Sequence, residues 1–142
     1  MTKVDFYVLP EDGSLSMVVA IGRLSEKASA RGHRVFIQTK DESETRRLDE
    51  ALWSFRPSSF VPHSLATDPT LERVVIGHED PPMECNDVLI NVTQRVPAGF
   101  SRFERLAEIV THDATAIEAS REAWRFYRDR GYPLSKHELA AT

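Results

Sequence analysis

The chain has 142 residues, 41% of them hydrophobic and 28% charged, with a formal net charge of -4 and a pI of about 5.7. That length suits one domain, residues 1–142, around one core, and no apolar run approaches the roughly 18 residues that span a bilayer. The acidic balance excludes whole-molecule attraction to a phosphate backbone, so a nucleic-acid role needs a local basic patch or a partner protein; a lone cysteine, Cys85, excludes an internal disulfide and, with no apolar signal core at the start, points to the cytoplasm.

Val4 to Leu9 (VDFYVL) is β-rich and predicts a buried strand, broken by PEDGS. Met17, Ala20, Ile21, Leu24 and Ala28 then fall on one helical face, with Gly32 where a helix C-terminal glycine belongs. RVFIQT predicts a second strand. KDESETRRLDEALW predicts a second helix, with Asp41 and Glu44 spaced as a capping box. On that helix Leu48, Ala51, Leu52 and Phe55 share a face, and Trp53 points away from it.

Ser54 to Thr70 reads as a loop holding Pro57, Pro62 and Pro69. RVVIG and DVLIN read as interior strands of a parallel sheet, with the acidic GHEDPPMECN at the surface between them. VPAGFSRF predicts a short helix and RLAEIV another strand. Asp113 caps a last helix running to Arg130, with Gly131 just past it. Strands alternating with helices predict an α/β domain: an open, mostly parallel sheet with helices on both faces, Rossmann-like.

The first β-α turn, LPEDGSLSM, has one glycine and two carboxylates, so it lacks the glycine loop that cradles a pyrophosphate. The histidines at 33, 63, 78, 112 and 137 have no metal-ligand spacing, and Cys85 has no CxxC partner. No catalytic constellation, cofactor or metal is called for. What remains is binding chemistry. On the last helix Ala116, Ala119, Ala123, Phe126 and Tyr127 gather on the face to be buried. Arg121, Arg125 and Arg128 gather nearly opposite, with Trp124 on their edge and Glu118, Glu122 and Asp129 on the other flank. A solvated charged face is the ordinary reading of such a helix. Against it, like charges at i,i+3 and i,i+4 are unfavourable, and both tryptophans fall off the apolar stripes. Arginine and tryptophan together suit an acidic peptide with an apolar end. Phe60 and Val61 either plug a gap under the proline loop or form an apolar patch for another protein. Three rival readings are a small α/β hydrolase or phosphatase, a single-strand binder stacking bases on Trp53 and Trp124, and a generic α/β domain whose aromatic loop is folded in.

FYVL at the start, RLDEALW running into SFVPHSLA, DVLIN, and the final REAWRFYRDRGY carry a resemblance over nearly the whole chain. The chain resembles the chi subunit family of bacterial DNA polymerase III. That resemblance implies a non-catalytic adaptor with two partners. One is the psi subunit, which attaches to the clamp loader. The other is the acidic C-terminal tail of single-stranded DNA-binding protein, which ends in phenylalanine. It further implies a tail site at Arg121, Trp124, Arg125 and Arg128, with Trp53 contributing and Gly131 closing the helix beside it. It implies a psi site at Phe55, Phe60 and Val61, which in some members also meets a helicase-like protein. The chain departs from the family pattern in the turn before Arg121. Ala116 and Ile117 stand there in place of a further basic residue, and Trp124 replaces an expected tyrosine.

Overall fold

Every strand pairing in the sheet is parallel, and the sheet is open at both edges. The computed structural model describes residues 1–54 and 62–140. Among them the chain runs β1 (Lys3–Val8), α1 (Met17–Ala30), β2 (Val35–Gln38), α2 (Glu42–Trp53), β3 (His63–Leu65), β4 (Val74–Gly77), β5 (Val88–Asn91), a 3-10 turn (Phe100–Arg102), β6 (Arg105–Val110), α3 (Ala114–Asp129) and β7 (Leu134–Glu138). The strand order is β3-β4-β2-β5-β6-β1-β7. β2 and β4 are buried along their whole length, as a sheet covered on both faces requires.

Alternate residues feed two cores. Val4, Phe6, Phe36, Val75, Leu89, Leu106 and Val110 face α3 and pack on its Ala123 and Tyr127. Val35, Ile37, Val74, Ile76, Ile90 and Ala107 face the other way, onto Ile21 of α1 and Leu48 and Leu52 of α2. The two-faced cover expected from the sequence is therefore present: α1 and α2 on one face, α3 on the other.

The predicted caps form. Asp41 Oδ1 accepts from Glu44 N at 2.8 Å, and Glu44 reaches back to Lys40 N at 2.9 Å, one residue before the box predicted. Asp113 Oδ2 accepts from Ala116 N at 3.1 Å. α3 ends with Gly131 at φ 82. Tyr132 N donates to Tyr127 O and Gly131 N to Arg128 O, and this paired closure turns the chain sharply into β7.

Three expectations need correction. The stretch from Ser54 to Thr70 is not all loop, because His63–Leu65 forms edge strand β3 on β4. A further strand, β7, follows Gly131 and pairs with β1. The acidic connection between β4 and β5 is not wholly superficial, since Pro81 and Cys85 are buried.

Candidate partner-binding groove

α1 follows β1 on one face of the sheet and α3 follows β6 on the other, while β1 and β6 are neighbours. Their C-terminal ends thus flank the crevice where open α/β sheets hold ligands. The His112 Nε2–H donates to Leu9 O across it at 2.6 Å. On the α3 side an open groove of about 640 Å³ begins, between α3 and strands β1 and β7.

The floor of this groove is apolar: Val8, Val110 and Ile117, with Phe6 beneath. Arg121, Trp124 and Arg125 project from α3, and Lys136 from β7. Arg121 and Arg125 make no ion pair among the described residues, while Glu118 adds one carboxylate at the rim. Trp124 packs on Phe6 with ring centroids 5.1 Å apart. It is half-buried rather than standing clear of the core, because Phe6 arrives from the far end of the sequence to meet it.

The other residues expected at this site lie elsewhere. Arg128 is turned to Asp129, donating from Nε and Nη2 to Oδ1 at 3.1 and 3.0 Å, and does not line the groove. Gly131 lies beyond the helix end. Trp53 is 51% exposed, consistent with its off-stripe position, but it sits on α2, whose buried leucines join the opposite core. Its ring lies 4.4 Å from that of His63 on β3, the edge strand farthest from β7, and its Nε1–H donates to Asp49 at 3.2 Å. The two indoles therefore cannot share one pocket. Ala119 and Phe126, placed on the buried face of α3, are only partly covered, and Arg130 lies over the Phe126 ring at 3.6 Å from its centroid. Phe55, Phe60 and Val61 lie outside the described residues.

Sequence reasoning missed a buried carboxylate under the same helix. Glu108 is on the core-facing side of β6 and only 7% exposed. Tyr127 donates its hydroxyl proton to Oε2 at 2.6 Å, and Asn91 Nδ2 donates to Oε1 at 2.8 Å. Burial pushes this carboxyl from the ordinary 4.5 up to about 7, while the two hydrogen bonds pull it back down. Burial also raises the Tyr127 hydroxyl, and the Glu108 charge adds to that. The signal was available, since an acid alternated with Leu106 and Val110 on the same face of RLAEIV. The cavity against Glu108 is only about 20 Å³, too small for a substrate.

A second hollow, of about 370 Å³, lies beside α1 on the other face, with Asp5, Lys27, Arg31 and Arg105 in its wall. Asp5 is occupied: it accepts from His137 Nε2 at 2.9 Å and from Arg105 Nη1 at 3.4 Å. No hydroxyl or thiol among the described residues hydrogen-bonds His137, so this pair does not form a nucleophile-base arrangement. Among the described residues, no helix is long and apolar enough to cross a membrane.

Comparison with known proteins finds relatives over nearly the whole chain. The family model described as "DNA polymerase III chi subunit, HolC" matches residues 1–135. The DNA polymerase III subunit chi of Pseudomonas aeruginosa is 44% identical over 140 residues, 98% of each chain. The protein of the same name from Escherichia coli K12 is 30% identical over 142 residues, covering 95% of this chain and 97% of that one. The Haemophilus influenzae protein is 28% identical over 139 residues, 94% of this chain and 95% of the other. A family model matching residues 1–135 and a relative 44% identical over 98% of each chain lead to one assignment: the chain belongs to the chi subunit family of DNA polymerase III, accessory subunits of a replicative polymerase.

Proposed function

We propose that the protein is a non-catalytic adaptor whose α3 groove holds the acidic C-terminal tail of single-stranded DNA-binding protein. A second surface then takes the psi subunit and through it the clamp loader. The observation that carries this reading is the convergence of Arg121, Trp124 and Arg125 on one apolar-floored groove. Guanidiniums bind carboxylates through paired hydrogen bonds, and the floor accepts the terminal phenylalanine. Mechanism here is tethering. Each tail contact is weak, but several tails on one coated strand raise effective concentration, and avidity rises by about 10² to 10⁴. Salt weakens the ionic part and leaves the apolar anchor.

Trp53 belongs with the psi surface in this reading. It is exposed on the face away from the groove and stands two residues before Phe55 in the chain that leads to Phe60 and Val61. The same surface is the candidate contact for a helicase-like partner. Direct base stacking on both tryptophans is disfavoured by their places on opposite faces of the sheet. The hydrolase alternative is disfavoured by the small cavity at Glu108.

The test is calorimetric titration with a peptide carrying consecutive aspartates and a C-terminal phenylalanine. Arg121→Ala weakens binding by more than about 1 kcal/mol, as hot-spot truncations do, with an unchanged melting temperature. Undiminished affinity in that variant rules the groove out as the tail site.

A further inference from the structure

The groove has two walls, and the charge on the second follows from strand register. Lys136 of β7 is the direct partner of Phe6 on β1. Directly paired residues of neighbouring strands project to the same face. Lys136 therefore projects toward α3, one strand outward from the ring on which Trp124 packs. It lines the groove together with Arg121 and Arg125, which reach in from the helix. In the α3 turn before Arg121 the groove-lining residues are Ile117, Glu118 and Ser120, none of them cationic, so the helix itself supplies only two cations. The third comes from the sheet edge.

Its present partner is local. Lys136 Nζ lies 3.7 Å from Glu138 Oε1, and both side chains are mostly exposed. Glu138 is the next residue of β7 on the same face. Such an exposed pair is weakly held, and a ligand carboxylate can displace it.

We propose that Lys136 is the opposing-wall cation of this groove, and that Glu138 is its internal competitor when no ligand is bound. The ligand class is an extended peptide with consecutive acidic residues before an apolar end. Successive side chains of an extended chain point to opposite sides. Neighbouring acids thus reach α3 and β7 in turn: one meets Arg121 or Arg125, the next meets Lys136. A helical peptide would present its acids differently and gain nothing from the second wall. This inference rests on the reading of the groove as an acidic-peptide site.

The experiment titrates the full chain with the aspartate-phenylalanine peptide at low and high salt, using wild type, Lys136→Ala, Glu138→Gln, the double variant and Arg121→Ala. Lys136→Ala is expected to weaken binding by about 3- to 10-fold and to flatten the salt dependence. Glu138→Gln is expected to strengthen it by about 2-fold, and that gain disappears in the double variant. Both positions are exposed, so melting curves are expected to superimpose on wild type. If Arg121→Ala weakens binding but Lys136→Ala does not, the second-wall role is overturned and the peptide site stands. If neither weakens it, the groove reading falls as well.

Discussion

Replacing Glu108 by glutamine tests the energetics of the sheet beneath α3. In the folded protein burial raises this carboxyl to about 7, against 4.5 ordinarily. Below pH 4.5 both folded and unfolded chains hold the proton, and the site costs nothing. As pH rises the unfolded chain ionises first, while the folded chain binds more protons, so stability falls with pH until the folded carboxyl has also ionised. At about 1.4 kcal/mol per pH unit, the gap amounts to about 3 kcal/mol, lost between pH 4.5 and about 8. Glutamine has the same shape and no charge. It keeps one acceptor for the two donors, Tyr127 and Asn91, and so forfeits about 1 kcal/mol of hydrogen bonding. The variant is expected to be less stable than wild type by about 1 kcal/mol at acid pH and more stable by about 2 kcal/mol near pH 8. Urea unfolding at steps of pH measures this, and other titrating groups cancel in the difference. A wild-type-minus-variant difference that stays flat with pH refutes the reasoning.

Trp124→Ala is expected to lose peptide binding and also to lower stability by about 2 kcal/mol, since a half-buried indole on Phe6 is removed; Trp124→Phe, followed by thermal melts and the same titration, restores the stability. Gly77→Ala places a methyl 2.9 Å from Ala66 Cβ and 3.0 Å from Phe36 Cζ, and is expected to cost about 1 to 3 kcal/mol in urea unfolding. Phe60→Ala is expected to abolish co-purification with psi while leaving peptide affinity unchanged; psi recovered at wild-type yield counts against that surface.

The interior strands were legible because they are short apolar runs buried on both faces, and the helices because their stripes and caps have local spacing. β3 and β7 were not. β3 has three residues, and β7, LSKHE, is mostly exposed along an edge with one neighbour, so neither carries an apolar signature. Arg121, Trp124 and Arg125 were legible as a cluster because one helix carries them. Their opposite wall was not, since Lys136 reaches the groove only through the register of β7 on β1. The helical stripe shows that Trp53 leaves the core face but not where it goes; its place beside Trp124 was implied by the family resemblance alone, and α2 lies on the face of the sheet away from α3. Arg128 looked free from spacing alone, yet an adjacent aspartate holds it.

The groove is assembled from segments distant in sequence: β1 on one side, and β6, α3 and β7 on the other. Lys3 pairs with Arg105 and Val4 with Leu134, so residues about a hundred or more positions apart meet side by side. Such distant pairings form slowly. Until α3 and β7 have docked against β1 and β6 the groove has no walls, so it forms only with the complete sheet and not with any one element.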